Sequence, residues 1–158
     1  MNLLIDAHRQ LLKAMLNNNV DFIVIGGYAV IFHGYDRTTG DIDFWIKPDN
    51  ANKPKLIEAL REFGIEETSL ADVGTLDFTK TIFFNIGEEP ERIDFLTRIN
   101  LISYEEADRD KTIAEVDELK MPFLHLNHLI LSKINTERPQ DKADVDMLQK
   151  IAKHRNNS

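Results

Sequence analysis

Val24-Ile25-Gly26-Gly27, and further along Asp41-Ile42-Asp43-Phe44-Trp45-Ile46, are the two stretches on which the fold turns. The first is an apolar strand, beginning at Phe22, that ends in two glycines; Tyr28 to His33 then read as a helix. A strand, a glycine turn and a helix start can together seat a phosphate. The second stretch follows the turn-rich Arg37-Thr38-Thr39-Gly40 and reads as a strand. Residues two apart in a strand share a face, so Asp41, Asp43 and Trp45 are expected on one surface while Ile42, Phe44 and Ile46 face the core. Two carboxylates on one face suit a divalent cation. With a phosphate seat in the same chain, they suggest a nucleoside triphosphate bound with Mg²⁺.

Outward from these stretches the pattern is that of an α+β fold. Leu4, Ile5, His8, Leu11, Leu12, Met15 and Leu16 recur at helical spacing, and Asn17-Asn18-Asn19 ends that helix. Phe22 to Ile25 is apolar on both faces, as in a central strand covered on both sides. Leu56, Ile57, Leu60 and Phe63 mark a helix stopped by Gly64. Thr81 to Ile86 and Glu91 to Leu96 read as two strands of a hairpin turned by Gly87-Glu88-Glu89-Pro90, which makes the sheet mixed. Thr112 to Val116 is either a further strand or a loop. His125 to Ile134 and Gln140 to His154 read as two helices, a C-terminal helical tail. A single domain is expected, with a core over about residues 1–100 and a helical extension over about 101–158.

The strand from Glu91 carries a third acid, Asp94, between Ile93 and Phe95, so its side chain points away from that apolar pair. If the hairpin lies beside the Asp41 strand, the three carboxylates can gather around one or two cations; without a cation they would repel one another. Taken singly, each acid reads as a solvated strand-edge residue. An EF-hand does not fit, because Trp45 and Asn52 stand where oxygen ligands are needed. The glycine pair lacks the spacing of a dinucleotide-binding fingerprint or a P-loop.

Composition removes other classes. The 158 residues include 27 acids against 19 lysines and arginines, a net charge of −8, which argues against binding a polyanion over the whole surface. The chain has no cysteine, so thiolate metal sites, disulfides and cysteine nucleophiles are excluded. No run approaches the roughly 18 apolar residues of a membrane span. A cytoplasmic protein with no membrane contact is expected.

Gly26-Gly27, a spacer, Asp41-Ile42-Asp43 and the later Asp94 resemble the nucleotidyltransferase fold of the DNA polymerase β superfamily. Within it, the stretch from Gly26-Gly27-Tyr28-Ala29-Val30 to Arg37, Thr39 and Asp41-Ile42-Asp43 is most similar to the AbiEii-like nucleotidyltransferases, which include toxins of toxin–antitoxin systems. Their lysine followed by an Asp-x-x-Asp helix is matched by Lys133 and by Asp141 and Asp144. The resemblance implies a nucleotidyltransferase-like mixed sheet flanked by helices, and transfer of an NMP from an NTP to a hydroxyl acceptor. It implies Mg²⁺ (with Mn²⁺ as a substitute) on Asp41, Asp43 and Asp94, and β- and γ-phosphates at Gly26 and Gly27. Asp94 would be either a metal ligand or the base. The acceptor is left open among a tRNA end, a protein side chain and a small molecule, and an antitoxin would be the partner. Many members place Ser where Gly27 or Tyr28 stands, so a noncatalytic nucleotide-binding partner with the same fold is the alternative.

Lys133 also stands out by spacing, following Leu129 by four and Ile130 by three on an apolar helix stripe. There it needs an anion, either a triphosphate or Asp141 or Asp144, unless its ammonium snorkels to solvent. Asp141 and Asp144, near a helix start, are equally explained by the helix dipole. Arg37 and Thr39, in the loop before the acid pair, are candidates for nucleotide contact. His33, His125 and His128 read as structural, and the stretch from Glu105 to Lys111 as charged and solvated.

Overall fold

The structure, a computed structural model, describes residues 4–35 and 39–156. The chain opens with α1 (Asp6–Asn17), which buries His8, Leu11, Leu12, Ala14 and Met15. It enters β1 (Phe22–Ile25) and passes straight into α2 (Gly26–Phe32), which starts at the first glycine, ahead of the expected Tyr28. Next, β2 (Ile42–Ile46) returns antiparallel to β1 and sets Asp43 opposite Ile25. A 3₁₀ turn (Asn50–Asn52) leads into α3 (Lys53–Phe63), which Gly64 ends at φ 108°, a left-handed conformation suited to glycine. The remaining elements are α4 (Glu67–Gly74), β3 (Phe83–Ile86), β4 (Ile93–Leu96), α5 (Tyr104–Asp110), β5 (Thr112–Val116), β6 (Leu119–Phe123), α6 (Leu126–Lys133) and α7 (Pro139–Asn156).

These strands form one mixed sheet in the order β3-β4-β2-β1-β6-β5. Parallel pairing joins β2 to β4 and β1 to β6; the other neighbours are antiparallel. The core fills both faces of the central strands, which is why Phe22 to Val24 and Phe44 to Ile46 are all buried. In the β2–β4 pair Asp43 faces Asp94, Phe44 faces Phe95 and Trp45 faces Leu96. The expected hairpin is therefore present, and it lies where it can bring the third acid to the first two.

Other elements refine or add to the sequence reading. Trp45 shares the face of Asp43 but is 1% exposed: its ring meets Tyr104 edge-on and its indole N–H donates to the Thr97 carbonyl. The charged stretch from Glu105 is helical in α5, with the Ser103 hydroxyl accepting from the Glu106 amide as a cap. Residues 112–116 are a strand, paired with β6 through a turn at Asp117 and Glu118 whose φ values are 50° and 70°. Because β6 lies against β1 in mid-sheet, the sheet draws two strands from beyond residue 100, where a helical extension with at most one strand was expected. The eight-residue α4, buried through Leu70 and Val73, was not foreseen.

Candidate active site

Strand alternation puts Asp43 and Asp94 on the same face, and the parallel register puts them side by side. Both are pulled from water, Asp94 to 5% exposure. Burial and the adjacent Asp94 push the Asp43 carboxyl up to about 7; Asp41 adds to the rise and Lys133 opposes it. A proton on Asp43, hydrogen-bonded toward Asp94, relieves the repulsion between the two acids.

Asp41 joins this pair through a residue that sequence reasoning passed over. Arg92 grips Asp94 with two bonds, Nε to Oδ1 at 2.8 Å and Nη2 to Oδ2 at 3.2 Å. The same guanidinium lies 3.8 Å from Asp41 Oδ2 and 3.2 Å from Glu89 Oε1, and the Arg92 amide donates to Asp41 Oδ1. The signal was available, since Arg92 precedes Asp94 by two and so shares its face. Among the described residues no three His, Asp or Glu side chains stand grouped as a ready metal cage. The donor set still fits a hard divalent cation: every candidate ligand is a carboxylate oxygen, and a proton and a guanidinium now supply the positive charge.

Gly26 has two reasons to be glycine. Its φ is +70°, and a Cβ there would fall 2.1 Å from Asp43 Oδ2. The Asp43 carboxylate thus packs onto the glycine turn itself. The following side chain, Tyr28, turns inward: the His8 Nε2–H donates to the Glu91 carbonyl, which leaves His8 Nδ1 to accept from the Tyr28 hydroxyl. Burial keeps His8 neutral by lowering its pKa, despite opposing contributions from Glu91 and Asp41. No hydroxyl of the turn therefore reaches the acids.

Gly26, Gly27, Thr39, the three acids and Arg92 line one side of a cleft of about 520 Å³. The first turn of α7 and the end of α6 line another. There Lys133 Nζ lies 3.1 Å from Asp141 Oδ1 and 3.0 Å from Asp144 Oδ2. The Thr136 hydroxyl donates to Asp141 and the Gln140 amide to Asp144. Burial alone would raise Asp141, but Thr136 and Lys133 outweigh it and hold the carboxyl low. All the candidate residues thus meet in one cleft except Arg37, which lies outside the described residues. Thr39 points its hydroxyl at the Asp41 carbonyl, 3.3 Å away. His33 is structural, its Nε2–H donating to the Leu124 carbonyl at 2.7 Å. His125 caps α6 through Nδ1, and His128 stands 3.8 Å from Asp110, away from the cleft lining.

Known proteins resemble the chain in sequence family and in fold. A family of nucleotidyltransferases of unknown function, DUF6036, matches residues 3–153, and the chain belongs to that family. No curated protein matches in sequence. Among solved structures, a Thermotoga maritima protein (TM1012) provisionally assigned as a nucleotidyltransferase superposes with a TM-score of 0.57 at 14% identity, covering 96% of this chain and 91% of its own. The lincosamide antibiotic adenylyltransferase LnuA, bound to lincomycin, gives a TM-score of 0.54 at 15% identity, covering 96% and 99%. At such identities the likeness is one of fold, and it agrees with the expected nucleotidyltransferase-like mixed sheet.

Proposed function

We propose that this member of a nucleotidyltransferase family moves an NMP unit from an NTP to a hydroxyl acceptor in a Mg²⁺-dependent reaction. The observation that carries the reading is the parallel register that sets Asp43 against Asp94, with the glycine turn under Asp43 and Lys133 in the same cleft. Asp43 would hold the cation, and Asp41 and Asp94 would complete the set once Arg92 lets go. When bound, the cation neutralises phosphate charge and lowers the barrier to in-line displacement.

The chain's own groups do the rest. Gly26 and Gly27 let the β- and γ-phosphates approach the backbone closely. Arg92, released from the acids, and Lys133 offer charge to the phosphate oxygens. Asp94 takes the proton of the attacking hydroxyl as the new O–P bond forms and the bond to the bridging oxygen breaks, releasing pyrophosphate. The AbiEii-like resemblance adds an RNA or protein acceptor and an antitoxin partner to this proposal. No helix among the described residues is long and apolar enough to cross a membrane.

Calorimetric titration of each NTP with Mg²⁺, followed by an assay of pyrophosphate release, tests the reading. Metal-dependent binding that Asp41→Asn/Asp43→Asn abolishes is the expected result. Equal binding by parent and double variant would sink it.

A further inference from the structure

The reaction proposed above, on which this inference rests, needs attacking and leaving groups on opposite sides of the phosphorus. Sheet order assigns those sides. The glycine turn follows β1, the acids stand on β2 and β4, and β3 lies beyond them. With pyrophosphate departing over Gly26 and Gly27, the acceptor must arrive from the β3 side, past Asp94.

On that side the cleft wall changes from charged to apolar. Phe83 on β3, Leu96 on β4 and Ile99 form it. Phe83 lies opposite Leu96 in register and is 60% exposed, an aromatic face left uncovered beside the acids. Ile99 also lines a second, larger cavity of about 730 Å³. Trp45, the register partner of Leu96, lines this cavity too, so it lies along the same sheet face as the acid cleft.

The charge of the second cavity is opposite to that of the chain. Its described lining contains no Asp or Glu, while Lys80 and Arg98 both border it, exposed and outside every ion pair of the described residues. The acid whose charge reaches Lys80, Asp77, is already held by Asn50 and Thr79. Leu101 on the rim is 66% exposed and sits at φ 66°, a left-handed backbone that a leucine seldom adopts without a use for it.

We propose that this cavity and the Phe83 wall are the acceptor site, and that the acceptor is a nucleotide attacking through a ribose hydroxyl. Its base stacks on Phe83 and its phosphate faces Lys80 and Arg98. An exposed aromatic beside unpaired cations is the combination that holds single-stranded nucleic acid with little regard to sequence. The same chemistry is offered by the end of an RNA strand and by a free mononucleotide.

Two probes separate these sources: a fluorescein-labelled ten-nucleotide single-stranded RNA with a free 3′ hydroxyl, read by anisotropy, and AMP, read by calorimetry. The parent protein, Lys80→Glu/Arg98→Glu and Phe83→Ala are compared, each checked for an unchanged melting temperature, and Mg²⁺·NTP is titrated into the same preparations. The expected result is RNA binding that weakens with salt, falls at least tenfold in the charge-reversed variant and about tenfold without the Phe83 ring, and leaves NTP affinity within twofold. AMP binding with the same sensitivities would make the acceptor a free nucleotide; RNA binding alone would make it a strand end. The inference is overturned if neither probe binds while NTP does, if the variants bind the probes as the parent does, or if they lose NTP. The last outcome would make Phe83 the platform for the NTP base. A parent protein that binds no NTP would instead defeat the transfer reaction itself.

Discussion

The cleft sets two clusters of acids around a cation, and they differ in how completely their charge is matched. On the strands, Arg92 pairs with Asp41 and Asp94, Asp43 holds a proton, and Glu89 draws on the same guanidinium. On the helices, Lys133 answers Asp141 and Asp144 directly, and Thr136 and Gln140 supply further hydrogen bonds. The helical cluster is nearly closed: Asp144 is fully buried and Asp141 almost so. The strand cluster is held together by two exchangeable things, a proton and a long flexible side chain. A cluster missing positive charge can accept a cation, whereas a completed one holds two helices in place.

That contrast predicts which variants lose activity alone and which lose stability with it. Asp43→Asn keeps a hydrogen-bond donor for Asp94 but removes a charge that the proposed cation would need. We expect kcat to fall at least about 10²- to 10³-fold, the scale of losing one fixed electrostatic contact to a transition state, with the fold retained by circular dichroism. Lys133→Ala should cost stability as well, because besides removing a charge proposed for the phosphates it takes the shared cation from two buried carboxylates, lowering unfolding free energy by about 3–5 kcal/mol in urea titration. Equal stability loss at the two sites would erase the distinction.

Gly26→Ala acts on the seam between the two roles. A left-handed backbone at alanine costs about 1–2 kcal/mol, and the methyl would also displace Asp43 from its position 2.1 Å away. Stability should fall by that modest amount, while metal-dependent NTP binding, followed by calorimetry, should fall much further. Arg92→Gln sharpens the strand cluster's side of the comparison. Removing the internal cation should tighten Mn²⁺ binding severalfold in the absence of nucleotide, measured by electron paramagnetic resonance. Weaker Mn²⁺ binding would make Arg92 an organiser of the carboxylates and not their resident counter-ion.

How legible each cluster was from the sequence follows from how local its determinants are. Asp41, Asp43 and Asp94 were readable because strand alternation is a two-residue rule, and Lys133 because it falls on an apolar helix stripe. Arg92 obeyed the same rule as Asp94 yet passed unnoticed, since an exposed-looking arginine gives no sign of a partner on another strand. Gln140 and Thr136 carry no such signal; their partners are set by the packing of α6 on α7. In the fold, Ser103 and Glu106 spell a capping box that marks α5. The β5–β6 hairpin had no glycine at its turn, where Asp117 and Glu118 both adopt positive φ, and Pro122 interrupts β6, so neither the turn nor the strand announced itself. The strand face held one surprise for a physical reason: alternation says which way Trp45 points, but not that Tyr104 covers it.

The last effect is one of pH, and it bears on the proton in the strand cluster. The Asp43 carboxyl rises from its usual 3.8 to about 7, so between these values the folded protein binds a proton that the unfolded chain does not. Stability from this group is complete below about 3.8 and is lost as pH rises through about 7. His8 and His33 act in the opposite sense. Both are held neutral by burial, so their contribution is present above the unfolded value of 6.5 and is lost as pH falls below it. Because the histidines are common to parent and Asp43→Asn, the difference in melting temperature between the two proteins isolates the aspartate. With no metal added, the parent should lose stability relative to Asp43→Asn between pH 5 and pH 8, and millimolar Mg²⁺ should restore it at pH 8 by taking the place of the proton. A flat difference across that range would mean that Asp43 is ionised throughout, and the strand cluster would then be as complete in charge as the helical one.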